Sequence, residues 1–177
     1  MVEHDPNWPR AFETLRTRVA AALGDLVVAI EHVGSTSVPG LAAKPIVDLD
    51  VVVRTAANVP TAIERLATIG YVHLGDLGIP GREAFNRPSD ATDGSPLPAH
   101  NLYVCAADGE ELRRHLVFRD YLRCHPEAVS EYAAIKRQGA RLFPGDRDAY
   151  QEHKDATVRD ILRRAIQWRR ANGVTSV

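Results

Sequence analysis

"HVGSTSVPGLAAKPIVDLDVVV", residues 32–53, sets two aspartates, Asp48 and Asp50, inside an otherwise apolar run of Ile46, Val47, Leu49, Val51, Val52 and Val53. A run this rich in β-branched residues reads as a strand over residues 44–53, and Pro45 stands at its start, where a missing N–H is tolerated. Side chains alternate across a strand, so Asp48, Asp50 and Val52 share one face while Leu49, Val51 and Val53 share the other. Two carboxylates one face-step apart lie roughly 7 Å apart by the rise per residue. Buried without partners they would repel and lose hydration. Such a pair needs either an open edge or a cation. Mg²⁺, which takes one or two carboxylates together with substrate phosphate oxygens, meets that need and makes Asp48 and Asp50 candidate metal ligands.

Upstream, Gly34, Ser35, Thr36 and Ser37 close a strand over residues 25–34 and open a helical turn near Ser35 or Thr36. Glycine lets a phosphate approach the backbone, and the N–H groups of a following turn bind anions. Taken singly, a Gly-Ser pair is usually an ordinary turn and an Asp-x-Asp pair is weak. Together, on two successive strands, they provide what metal-assisted phosphoryl or nucleotidyl transfer requires: a cradle for the polyphosphate and a place for the metal.

The last third adds cations where the helical pattern expects apolar side chains. In residues 125–142 the inward stripe of Val129, Tyr132 and Ala133 also takes in Lys136. In residues 146–171 the stripe of Tyr150, Val158, Ile161 and Ala165 takes in Lys154. Lysine is seldom buried, so two Tyr-x-x-x-Lys pairs on inner faces point to an anionic occupant. The bland alternative is snorkelling, with stems on apolar surface and ammonium groups in water. Lys44, just before the Asp-bearing strand, is a third candidate cation, or else simply pairs with Asp48.

Around these motifs the chain reads as one α+β domain. A helix is expected over residues 8–24, with Phe12, Leu15, Val19 and Leu23 on one face, and another over residues 59–70. Weaker strands fall at residues 71–73 and 83–86, and a Pro-rich loop at residues 87–100 leads to a strand over residues 101–106. Helices are expected over residues 108–124, 125–142 and 146–171, with Pro126 in a first turn and Asp146 as an N-cap. The expected division is a core of about residues 1–106 and a helical part of about residues 109–171 within a single domain of residues 1–177.

At 177 residues, 45% hydrophobic and 25% charged, the chain has the composition of a globular protein with one core. A formal net charge of -1 gives no sign of a nucleic-acid partner, and Arg163, Arg164, Arg169 and Arg170 read as a solvated helix face. Cys105 and Cys124 show no metal or disulfide spacing, and Cys105 reads as a buried thiol in an apolar strand. No signal peptide, membrane span or lipidation motif is visible, so no membrane partner and a cytoplasmic location are expected. His32 reads as structural, and His115, His125 and His153, with no metal spacing, receive no chemistry.

Gly34-Ser35 followed by Asp48-Leu49-Asp50 on a strand resembles the signature of the nucleotidyltransferase superfamily of DNA polymerase β type. More specifically, residues 32–53, "DPNWPRAF", "FRDYLRCHPEAVSEYAAIK" and "DAYQEHKDATVRDIL" resemble the GrpB family over most of the chain. The resemblance implies a nucleotidyltransferase-like small mixed sheet with flanking helices and a helical C-terminal part. It also implies a functional link to dephospho-CoA kinase, to which family members occur fused. Superfamily enzymes use a third carboxylate from a later strand. Here that strand offers His100 and Asn101 instead, and Glu83 and Asp93 are substitutes recommended only by their charge. His100 is either a general base near neutral pH or a loop histidine bonded to backbone.

The expected function is Mg²⁺-dependent transfer of a nucleotidyl group from a nucleoside triphosphate to a small-molecule or protein hydroxyl. Asp48, Asp50 and His100 would be catalytic, and Gly34, Ser35, Thr36, Ser37, Lys44, Tyr132, Lys136 and Lys154 would hold the nucleotide or a related phosphorylated molecule. The alternative is a non-catalytic module that binds a nucleotide or a CoA-pathway ligand on the same fold.

Overall fold

The computed structural model describes residues 1–87 and 96–173. In chain order the elements are α1 (Trp8–Leu23), β1 (Val27–Val33), β2 (Val47–Val53), α2 (Val59–Ala67), β3 (Val72–Gly75), β4 (Arg82–Asn86) and β5 (His100–Ala106). Three helices follow: α3 (Glu110–Cys124), α4 (Pro126–Leu142) and α5 (Arg147–Ala171). The Asp-bearing run is therefore a strand, and Pro126 and Asp146 act as the sequence suggests: α4 begins at Pro126, and the Asp146 carboxylate accepts the Ala149 N–H at 3.0 Å. β3 begins one residue later than expected and extends to Gly75. Most of the expected Pro-rich loop, Asp93 included, lies outside the described residues.

The sheet order is β1-β2-β5-β4-β3, mixed because β2 and β5 run parallel while the other neighbours are antiparallel. β2 is hydrogen-bonded on both sides, which explains its apolar density. One face, formed by Val47, Leu49, Val51 and Val53 with Leu102 and Val104, packs on Phe12, Leu15, Val19 and Leu23 of α1 and Ala62 and Leu66 of α2. Burying each such leucine or valine stabilises the fold by about 1.5–3 kcal/mol. The opposite face carries Asp48, Asp50 and Val52 and meets α3, where Val52 and Cys105 pack on Leu112. The helical part has its own core, in which Val117, Tyr121 and Leu122 of α3, Tyr132 and Ala133 of α4 and Ile161 and Ala165 of α5 close over Val38 and Leu41. Among the described residues no helix is long and apolar enough to cross a membrane.

Candidate functional site

Where the Asp-bearing face leaves the cover of α3 it opens into a cleft of about 560 Å³ between the sheet and the helical part. Pockets for small ligands fall in that size range. The floor comes from β2 and β5. Asp48 is partly buried and its Oδ1 accepts the Asn101 Nδ2 amide at 2.7 Å. Burial, with the Asp50 charge adding to it, pushes the Asp48 carboxyl up, and the Asn101 bond opposes that rise.

Asp50 lies one step deeper and is fully buried. Its Oδ2 is 2.7 Å from Nδ1 of His115, whose Nε2 lies 3.1 Å from Oε1 of Glu111 one turn earlier on α3. Burial alone would lower the His115 imidazole, but the bonds to Asp50 and Glu111 outweigh it and raise it to about 9. At neutral pH an imidazolium thus compensates two carboxylates from inside the chain, a role the sequence reading did not give to His115. The one available signal was the i,i+4 spacing of Glu111 and His115 on α3.

The wall at the β1 end is the turn after β1. Gly34 sits at φ +69°, and a Cβ there would lie 2.1 Å from Asp48 Oδ2, so only glycine allows this approach. Ser35 lines the cleft, but Thr36 and Ser37 do not, contrary to expectation. Both are buried and turned inward: Thr36 Oγ1 bonds His32 Nε2 at 3.0 Å, and Ser37 Oγ donates to the Gly34 carbonyl at 2.6 Å. They hold the turn in shape. Arg123 of α3 clamps the same turn by donating to the Ser37 carbonyl at 2.8 and 3.0 Å.

Opposite stand the cations of the helical part. Lys136 is only 4% exposed; its Nζ donates to Ser35 Oγ at 2.8 Å and the Ala42 carbonyl at 2.7 Å, and lies 5.0 Å from the Tyr132 ring centroid. Burial, then the nearby Lys154 charge, push this ammonium down to about 7. Burial also pushes the Tyr132 phenol up to about 12. Lys154 and Lys44 flank the Tyr150 ring at 5.2 and 5.3 Å, so Lys44 does not sit on Asp48 as the bland alternative had it. Gly34, Ser35, Lys44, Asp48, Tyr132, Lys136 and Lys154 all line one cleft.

His100 is placed elsewhere. It pairs in register with Val47, so it lies on the face opposite Asp48 and Asp50. There its Nδ1 bonds the Pro98 carbonyl at 2.7 Å and its Nε2 the Tyr71 hydroxyl at 2.7 Å, and burial lowers its imidazole against the opposing effect of the Pro98 bond. A base role for His100 at the aspartates is thereby removed. Glu83 also faces the other way, bonded to His73 at 2.6 Å. The strand position beside Asp48 is held by Asn101.

Among the described residues no group of three or more His, Cys, Asp or Glu is arranged to hold a metal ion. The donor set still suits Mg²⁺ when phosphate oxygens complete the shell: Asp48 faces the cleft and Asp50 Oδ1 is buried without a hydrogen-bond partner.

Comparison with known proteins places this arrangement among relatives. The family model described as GrpB protein matches residues 1–164. Glutamate-rich protein GrpB of Alkalihalophilus pseudofirmus is 34% identical over 163 residues, covering 92% of each chain. UPF0157 protein YqkA of Bacillus subtilis is 33% identical over 98% of this chain, which spans 50% of that protein's length. A dephospho-CoA kinase of Mycolicibacterium paratuberculosis is 30% identical over 98% of this chain and 47% of its own. The crystal structure of conserved protein GrpB from Enterococcus faecalis superposes with a TM-score of 0.82 at 33% identity, covering 94% and 96% of the two chains. The structure of Cid1 with its short product ApU superposes with a TM-score of 0.56 at 13% identity, over 86% of this chain and 48% of that one. The Cid1 likeness is one of fold.

Proposed function

The chain belongs to the GrpB family and has a nucleotidyltransferase-like fold, and on that premise we propose that it binds a nucleoside triphosphate in the cleft and transfers the nucleotidyl group, with Mg²⁺, to a small-molecule or protein hydroxyl. The observation that carries this reading is the buried Lys136 ammonium, held on Ser35 beside the Gly34–Asp48 contact. A lysine so placed is expensive without an anion, and a triphosphate lying on the turn would restore its full charge.

In this reading Lys136, Lys154 and Lys44 hold the phosphates, and Gly34, having no side chain, lets the Asp48 carboxylate lie directly against the turn that carries them. Asp48 and Asp50 would hold Mg²⁺, whose contribution is to offset charge developing on the phosphates. Asn101 orients Asp48, and the His115 imidazolium fixes Asp50 in one rotamer.

A second reading rests on Asn101, which occupies the place where superfamily enzymes carry a third acid. Under it the protein binds a nucleotide or phosphorylated ligand without turnover. The dephospho-CoA kinase relative, of which this chain matches about half, makes a CoA-pathway ligand the natural choice.

Thermal melts with nucleoside triphosphates and Mg²⁺, joined to a pyrophosphate-release assay run with a panel of small-molecule and protein hydroxyl acceptors to take the nucleotidyl group, separate the two. Ligand at a hundred times its Kd adds about 2.7 kcal/mol of stability. Stabilisation with pyrophosphate release that Asp50→Asn abolishes supports transfer. Stabilisation without release leaves the binding module. No stabilisation by any nucleotide contradicts both.

A further inference from the structure

The strand order gives the cleft a second end. The Gly34–Ser35 turn follows β1 on one side of Asp48, and β4 lies two strands beyond β2 on the other, about 10 Å away at ordinary strand spacing. Arg82 opens β4 on the aspartate face, since it pairs with Cys105, which in turn pairs with Val52. Its guanidinium lies 4.3 Å from the Tyr103 ring centroid, its Nε is buried without a hydrogen-bond partner, and it lines the cleft. Arg114 of α3 lines the same cleft, only loosely paired with Glu111 at 3.4 Å. An arginine stacked on an aromatic ring keeps its planar fork pre-oriented, with donors suited to a bidentate carboxylate or phosphate. Lysines and arginines outnumber carboxylates along the cleft by more than two to one, which disfavours a cationic occupant.

We propose that Arg82, braced on Tyr103 and helped by Arg114, is a second anion subsite that recognises a carboxylate or phosphate group on a second ligand. Resting on the nucleotide reading above, that ligand is the acceptor, and acceptors of this protein are anionic. The turn and the lysines take the triphosphate at one end, and Arg82 takes the acceptor's charge at the other.

The test is calorimetric titration of protein saturated with Mg²⁺ and the α,β-methylene analogue of ATP. The probes are inorganic phosphate, glycerol 3-phosphate, glycerate, glycerol and spermidine. Glycerol 3-phosphate and glycerate separate the phosphate source of recognition from the carboxylate source. The expected result is binding of an anionic probe, no binding of glycerol or spermidine, and a loss of about tenfold or more in Arg82→Gln, consistent with removal of a charge-assisted fork. The analogue's own affinity should stay unchanged in that variant. Arg82→Lys, which keeps the charge and loses the fork and stack, should fall between and serves as the test if Arg82→Gln does not fold. Anions that bind wild type and both variants equally, anions that do not bind wild type, or a variant that loses the analogue as well would each overturn the subsite. Should the analogue fail to bind wild type while phosphate still binds in an Arg82-dependent way, the nucleotide reading fails and the subsite stands.

Discussion

Gly34 has little freedom to change. Alanine there would need a left-handed backbone conformation and would drive its Cβ into the Asp48 carboxylate. Gly34→Ala is expected to cost about 1–3 kcal/mol, the range of overpacking, and to dislodge Asp48 from Asn101. Urea unfolding measures the cost, and an unchanged midpoint would deny the close approach. His32 supplies a pH dependence at the same turn. Burial, then the charges of Arg123 and Arg119, push its imidazole down to about 4 while it stacks on Phe12 and bonds Thr36. A lowered pKa means that the unfolded chain binds the proton more readily, so the contribution is present above about 6.5 and is lost as pH falls towards 4. Allowing for solvent screening, this amounts to about 1–2 kcal/mol. His32→Gln should therefore show a shallower loss of stability than wild type between pH 7 and pH 4.5 (about the span of the titration). Parallel curves would mean that His32 does not resist protonation.

At the scale of elements, alternation within β2 and β5 decides which side chains share the site. Residue parity is readable in sequence once the strand is recognised, and β2 with its two aspartates was legible for that reason. The same parity sets His100 on the far face and Asn101 on the near one, but only the register of β5 against β2 fixes which residue meets Asp48. The bond between His115 and Asp50 spans a pair of elements 65 residues apart, and no local periodicity encodes it. The question of how Asp48 and Asp50 are tolerated side by side thus has an answer outside the motif: α3 delivers an imidazolium to Asp50, and β5 an amide donor to Asp48. The inward turn of Thr36 and Ser37 is likewise a tertiary matter, set by His32 on β1 and Arg123 on α3. Lys136 and Lys154 were legible because a cation on an apolar helical stripe is visible in sequence alone. The β5 assignment has its own check. Cys105 is fully buried there and burial pushes its thiol up, whereas Cys124 at the end of α3 is exposed. A neutral-pH thiol reagent should label one cysteine rapidly and, in Cys124→Ser, almost none before unfolding. Rapid labelling of that variant would contradict the burial of β5.

At the scale of the whole molecule, the sheet and the helical part close on one cleft whose cations outnumber its carboxylates. Asp48 rises from β2, Lys136 and Lys154 descend from α4 and α5, and Lys136 reaches across to Ser35. With its ammonium pushed down to about 7, Lys136 titrates within the neutral range. Phosphates that bind against it will draw it to full charge, so binding takes up protons near pH 7. The most direct measurement is calorimetric titration of ATP with Mg²⁺, and of adenosine, into wild type and Lys136→Met at pH 7 in two buffers of different ionisation enthalpy. The account predicts that ATP binds wild type with a buffer-dependent heat that reveals proton uptake. In Lys136→Met, ATP affinity should fall by about ten- to a hundredfold, the buffer dependence should vanish, and adenosine binding should be unchanged. Equal ATP affinity in the two proteins, or no binding of ATP to wild type, would contradict it.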